Sequence, residues 1–432
     1  MIERNRYLQL LISKRENGLV KVITGIRRCG KSYLLFEIYR RYLKETGVDD
    51  DHIIELALDD DTNICYRNPL ELGKYVRDRL TDSTKMYYVF LDEIQKVANI
   101  PNPYLPGTSE TVGFVDVLLG LMKLRNVDLY VTGSNSKMLS TDILTEFRGR
   151  GDEIRVSPLC YSEFYAAFEG DKRNAWREYA TFGGMPFAMS RKTAAEKTAY
   201  LRSLFDKIYL DDIMNRHKIL REKAVLDDLL DITASSIGSL TNPLKIQKTF
   251  ASEKGVRVSD ETIATYLDYF ADAFLISRAK RYDVKGRKHI GSPMKYYYTD
   301  IGLRNARLNF RQQEETHIME NVLYNELCMR GYSVDVGVVT FHTRNADGVS
   351  ARVQREIDFV ANEGSRRYYI QSAFAIPDEE KRRQETASLK GTGDSFRKIV
   401  VVRDNIMPWH DENGILYMGL EEFLLDERAV DR

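Results

Sequence analysis

Gly25, Gly30, Lys31 and Ser32 stand in the spacing Gly-x-x-x-x-Gly-Lys-Ser, within "GIRRCGKS". Those residue types at that spacing suit the holding of phosphates. Glycines let successive backbone N–H groups curl around an anion, and a helix N-terminus adds positive potential. The loop expected to line a nucleotide is Gly25, Ile26, Arg27, Arg28, Cys29, Gly30, Lys31, Ser32 and Tyr33. In this scheme Lys31 reaches the β- and γ-phosphates, and the Ser32 hydroxyl binds Mg2+. The flanks supply the context that such a loop needs. "GLVKVIT" before it is alternating and β-branched, as a strand should be, while Leu34, Leu35, Ile38, Tyr39, Tyr42 and Leu43 after it recur at helical spacing.

Hydrolysis needs a second, acidic element. "MYYVFLDEIQKV" is an apolar run ending in Asp92-Glu93, and such a run suits a parallel strand buried on both faces. It delivers two carboxylates to the strand's carboxyl end, where ligands sit in open α/β sheets. Asp92 suits a contact to Mg2+, and Glu93 suits a base that polarises the attacking water. A third strand, "VDLYVTGSNSKML", ends in Thr132-Gly133-Ser134-Asn135. A polar residue there either bonds the water or γ-phosphate, or belongs to an ordinary glycine–serine turn. In "TEFRGRGDEIRV", Arg148 and Arg150 flank a glycine; arginines so placed either stabilise charge on a γ-phosphate, in cis or from a neighbouring subunit, or are simply solvated.

"GIRRCGKS", "VFLDEIQ", "VTGSNSKML", "FRGR" and "SPLCYSEF" together resemble the AAA-superfamily ATPases of bacteria and archaea. "FGGMP", "KYYYTDIGLRN", "EIDFVA" and "YYIQ" extend the resemblance, over nearly the whole chain, to prokaryotic AAA-type proteins with a C-terminal domain of uncharacterised function. The resemblance implies ATP and Mg2+ as ligands, a parallel sheet in the order 5-1-4-3-2, and Ser134 or Asn135 in the sensor position.

The 432 residues suffice for two to four domains. A composition of 43% hydrophobic and 30% charged residues is ordinary for a globular chain, and no apolar run is long enough to suggest a membrane span. "MIERNRYLQLL" has scattered charges and is not expected to be a secretion signal. Cys29, Cys65, Cys160 and Cys328 lie far apart, which fits reduced thiols and a cytoplasmic setting rather than a zinc site. Net charge is zero, with 64 basic and 64 acidic residues, so wholesale coating of nucleic acid is not expected; a local basic patch remains open.

Residues 1–157 are expected to form the ATPase core, and the helical pattern of 158–222 a lid. In 223–307, three helical stretches precede strands at "LISRAKRYD" and "KYYYTD", joined by "VKGRKHIGSPM", an order that suggests a winged helix-turn-helix. The expected wing carries Arg278, Lys280, Arg281, Lys285, Arg287 and Lys288, six basic residues against one acid, and suits phosphate contacts. The third helix, "SDETIATYLDYFADAF", has four acids and no Lys or Arg, which phosphates would repel. DNA binding and protein docking both stay open.

Residues 308–432 open with a helix followed by antiparallel strands, a charged helix and a further strand, an order resembling the restriction-endonuclease-like core. That core needs an Asp, then Glu-x-Lys one strand later. Asp358 fits the first position and Glu320 could assist, but Gln371 and Ala373 stand where Glu and Lys are needed. An inactive recognition or scaffold module is expected. The chain as a whole is expected to be an ATP-hydrolysing AAA-type switch coupled to DNA- or protein-recognition domains, with homo-oligomers and an unidentified protein as further partners. The alternatives are a nucleotide-dependent assembly scaffold with little hydrolysis and, less favoured, an ATP-dependent nuclease.

Overall fold

The computed structural model describes residues 2–133, 151–205, 210–219, 223–344 and 350–432. Contacts divide the chain into two compact units, Met1–Pro158 with Asp272–Phe274, and Leu159–Ala271 with Leu275–Arg432.

The first unit is built on five parallel strands, β1 (Val20–Thr24), β2 (Ile53–Ala57), β3 (Tyr87–Asp92), β6 (Val127–Thr132) and β7 (Gly151–Arg155). A short antiparallel pair, β4 (Ile100–Pro101) and β5 (Thr111–Val112), stands apart. The sheet runs β2-β3-β6-β1-β7. Counted from the other edge and over the parallel strands alone, that is the expected order, fifth, first, fourth, third, second. Every residue of β1 and β3 is buried, because helices cover both faces of a parallel sheet. Val22, Leu56, Val89, Leu91 and Val131 pack with Leu72, Val76, Leu118 and Leu121 from the flanking helices. Burying each such side chain contributes roughly 1.5–3 kcal/mol.

One helix runs over residues 31–45. It starts α-helical at Lys31–Tyr33, widens to π-helix at Leu34–Tyr39 and returns to α-helix at Arg40–Glu45. The apolar face expected from the spacing is the face that is buried, with Leu34, Leu35, Ile38, Tyr39 and Leu43 inside. Tyr39 ties this helix to the sheet, since its hydroxyl lies 2.6 Å from that of Tyr130. Tyr130 donates at 2.7 Å to Asp128 Oδ2, and the fully buried Lys21 ammonium bonds the other Asp128 oxygen. Burial pushes the Lys21 pKa down and the Asp128 charge opposes it. A buried pair of this kind is costly to break singly, at about 3–5 kcal/mol.

The second unit contains a mixed sheet of eight strands. They are β8 (Ile276–Asp283), β9 (Lys288–Tyr298), β10 (Ser333–Arg344), β11 (Ser350–Glu363), β12 (Arg366–Ala373), β13 (Arg397–Val402), β14 (Trp409–His410) and β15 (Leu416–Gly419). Their order is β14-β15-β13-β12-β11-β10-β8-β9.

This sheet corrects the reading of a separate wing. Strand β8 pairs in parallel with β10, Arg281 opposite Val336 and Asp283 opposite Val338. The hairpin is therefore an edge of the C-terminal sheet, and segments 158–222, 223–307 and 308–432, apart from Pro158 and Asp272–Phe274, fall in one compact unit. The loop expected over "VKGRKHIGSPM" is mostly strand, and the turn spans only residues 284–287. Gly291 and Pro293 hid that strand. It lies at the sheet edge, where a proline's missing N–H is tolerated. The helix Asp260–Asp272 buries Ile263, Leu267 and Phe270 as expected, whereas Phe274 lies beyond its end.

Candidate functional site

The phosphate-type loop joins β1 to the helix over 31–45. Gly25 has φ +141°, and a Cβ there would come within 2.1 Å of the Val156 carbonyl oxygen, so only glycine fits. Gly30 is left-handed at φ +100° and opens the helix. Cys29 is buried and donates its thiol to the Val156 carbonyl at 3.3 Å. The buried Arg4 guanidinium clamps the loop from behind, donating to Cys29 O at 3.2 Å and to Ser157 O at 2.7 Å. Of the nine residues expected to line a nucleotide, Ile26 and Cys29 have buried side chains and offer backbone only. Arg27 is half-buried, while Arg28 and Tyr33 are exposed.

Lys31 is 4% exposed, and its ammonium lies across the loop, donating to Gly25 O at 3.1 Å and Ile26 O at 3.2 Å. Two neutral carbonyls are a weak setting for a full charge, and a phosphate dianion is a stronger partner. Ser32 Oγ donates to Asp92 Oδ2 at 2.8 Å. Thr132 Oγ1 donates to the other Asp92 oxygen and accepts the Glu93 amide at 3.1 Å. The ends of β3 and β6 thus position a hydroxyl and a carboxylate together beside the loop, a hard-oxygen set that fits Mg2+.

Glu93 follows Asp92 in the left-handed region, at φ +53°, and Gln95 donates to its carboxylate. Burial raises the Glu93 pKa; the Lys31 and Arg27 charges pull it down and Asp92 pushes it further up. A carboxylate with a raised pKa suits a base working near neutrality. Asn135 and Ser134, with Arg148 and Arg150, lie outside the described residues. Thr132 and Gln95 carry interactions that sequence reasoning missed; a hydroxyl closing the strand beside the acidic one is the signal that could have pointed to Thr132.

In the second unit the four expected nuclease positions do not all meet: Asp358 and Glu320 lie around one lysine, while Gln371 and Ala373 stand apart. The register of β10 against β11 shifts between Asp335 and Gly337, whose partners are Val360 and Ile357. This bulge turns Asp358 to the side of the helix Glu315–Met329. Gln371 instead bonds Glu385 at 3.3 Å, and Ala373 packs with Leu389, both on the helix Glu379–Lys390. Asp358 therefore cannot share a metal with positions 371 and 373.

On its own side Asp358 joins Glu320, the two acids named from the sequence, in a charge cluster whose Lys295 and Glu356 no linear motif announced. Lys295 Nζ lies 2.8 Å from Glu320, 2.6 Å from Glu356 and 3.8 Å from Asp358. Tyr297 donates to Glu320 at 2.6 Å, and the Ser372 amide donates to Asp358 at 2.8 Å. Burial and the Glu320 charge hold the Asp358 pKa well above the ordinary carboxylate range, with Lys295 opposing them. Burial works against the Lys295 ammonium, but the pull of Glu320, Asp358 and Glu356 outweighs it and raises its pKa. A lysine occupies the centre of this cluster. Among the described residues no group of three or more His, Cys, Asp or Glu is arranged to hold a metal ion.

The six basic candidates of the hairpin do not share one task. Arg278 pairs with Asp268, and Arg281 donates to Gln354 at 3.1 Å. Lys280 and Lys288 are exposed, whereas Lys285 and Arg287 line a cleft. Among the described residues no helix is long and apolar enough to cross a membrane.

Fold and loop together define a protein with an AAA domain, and the AAA domain family model matches residues 17–165. A domain of unknown function, DUF8612, matches 173–314. An uncharacterized protein of Haemophilus influenzae is 32% identical over 406 residues, covering 93% of each chain, and the protein belongs to the family of that relative. An uncharacterized protein of Methanocaldococcus jannaschii is 27% identical, covering 99% of this chain and 88% of its own. Among solved structures, Cdc6p from Pyrobaculum aerophilum superposes with TM-score 0.30 at 13% identity, covering 74% of this chain and 94% of that one.

Proposed function

We propose that the protein is a Mg2+-dependent ATPase working as a switch, its nucleotide state passed to a C-terminal segment that recognises DNA or another protein. The observation carrying this reading is the Ser32–Asp92–Thr132 hydrogen-bond chain beside the buried Lys31. Lys31 would leave its two carbonyls for the β- and γ-phosphates, and Ser32 with Asp92 would hold the magnesium ion. That ion, when bound, neutralises charge building on the phosphate oxygens. Glu93 would accept a proton from, or orient, the attacking water. Asn135, Arg150 and, second, Arg148 are proposed on sequence grounds to orient the water and stabilise charge; an arginine acting in trans would require a homo-oligomer.

Phosphate release by purified protein, with and without single-stranded and duplex DNA and alongside the mass of the assembly, tests the reading. Mg2+-dependent turnover is expected. ATP binding without turnover would leave a nucleotide-dependent scaffold instead. Cleavage of plasmid DNA is not expected, because Asp358 and positions 371 and 373 face opposite helices.

A further inference from the structure

The cleft that takes in Lys285 and Arg287 has a volume of about 550 Å3. That lies within the range of sites that bind small ligands or single residues of a polymer, roughly 300–1,000 Å3. Three turns supply its walls. Lys285 and Arg287 come from the β8–β9 turn, Arg366 and Arg367 from the start of β12, and Asp394 and Phe396 from the loop ahead of β13. Four cations and one acid thus line the cleft, in a chain whose net charge is zero, and of the cations Arg366 is paired with Glu363 beside it. The acid is already engaged, because Asp394 accepts the Tyr369 hydroxyl at 2.6 Å.

Aromatic rings stand among these cations. The Arg367 guanidinium lies 5.0 Å from the Tyr282 ring centre and 5.3 Å from that of Phe396. Its Nε donates to Asn362 at 2.8 Å, which fixes the plane of the group. Phe396 is 39% exposed, a large ring left open to solvent on the rim of a basic cleft. Guanidinium planes and exposed rings are the surfaces on which unpaired bases stack, and the surrounding cations suit the phosphates between them. A duplex offers phosphates to such a cleft but keeps its bases stacked inside, so the rings would have nothing to meet.

We propose that this cleft binds single-stranded nucleic acid, one or more unpaired bases stacking against Phe396 and Arg367 while Lys285 and Arg287 take the flanking phosphates. The site lies wholly in the second unit and owes nothing to the ATP loop. Its failure and that of the ATPase reading are therefore separable.

The test is fluorescence anisotropy of a short fluorescein-labelled oligothymidylate at low ionic strength, without ATP. Saturable binding is expected, with log affinity falling by about 0.7 per phosphate contacted for each unit of log salt. Lys285→Glu with Arg287→Glu, both exposed turn residues, should weaken it by about tenfold or more. Phe396→Ala should weaken it by about tenfold while Phe396→Trp retains it, and melting curves of both variants report whether the fold is kept. Lys31→Ala should bind the oligonucleotide as wild type does. No saturable binding would overturn the proposal, as would duplex binding of equal strength indifferent to Phe396→Ala. Displacement of the strand by an equal concentration of thymidine monophosphate would overturn it too, and would mark the cleft as a pocket for free nucleotides.

Discussion

Ser32 and Asp92, sixty residues apart in the chain, share a 2.8 Å hydrogen bond from Oγ to Oδ2. The bond joins the first turn of the loop's helix to the end of β3 and holds the two oxygens side by side; on the proposed function they are the pair that would hold the cation. Replacing Ser32 by Ala removes one oxygen and leaves Asp92, 5% exposed, relying on Thr132. ATP affinity in the presence of Mg2+ should then fall by about tenfold, a loss of ~1.4 kcal/mol, while affinity in EDTA is unchanged. Calorimetry under the two conditions separates them; an equal loss in both would mean that Ser32 serves the loop's shape and not the cation.

Lys31→Ala removes the charge that now rests on two carbonyls. The structure without nucleotide should be little changed, because those carbonyls belong to a loop also held by Arg4 and Cys29. ATP binding should be lost to calorimetry. Undiminished affinity would remove the loop from the nucleotide site altogether.

Glu93→Gln should bind ATP as wild type does and turn it over roughly a hundredfold or more slowly. The raised Glu93 pKa adds a pH signature. The carboxylate must be ionised to act as a base, so turnover should fall as pH drops through a midpoint above 4.5, the group's ordinary value. A pH–rate profile with its acidic limb at or below that value, or a Gln variant with full turnover, would assign the base elsewhere.

Lys295→Met leaves Glu320, Glu356 and Asp358 facing one another without a cation. At neutral pH this should cost about 3–5 kcal/mol of stability, as uncompensated buried charge does. The loss should shrink as pH falls. Stripped of Lys295, the carboxylates take up protons more readily in the folded state than in the unfolded one, and the folded state is favoured wherever it binds the additional protons. Urea unfolding of both proteins at mildly acid and neutral pH measures the difference; a gap independent of pH would mean lost packing rather than lost charge.

Local patterns made the first unit legible. A glycine loop between a β-branched strand and an amphipathic helix, then an apolar strand ending in two acids, depend on neighbours in the chain. Their geometry follows from backbone constraint at Gly25 and Gly30 and from burial of β3. Ser32 and Asp92 were brought together by a known motif pair, but pairings between distant segments that no motif marks were not legible. Lys21 was an ordinary strand lysine until Asp128 and Tyr130 met it inside the sheet. The basic hairpin had the order of a wing, and only the long-range ladder between Arg281 and Val336 made it part of the C-terminal sheet. Asp358 and Gln371 stood at a plausible motif spacing, yet one extra residue in β11 turned them to opposite helices. A bulge and a parallel pairing are set by packing summed over a whole sheet, a sum that no local window contains. Tertiary structure alone therefore placed Lys295 among three carboxylates, and brought Lys285 and Arg287 to the cleft with Arg367 and Phe396.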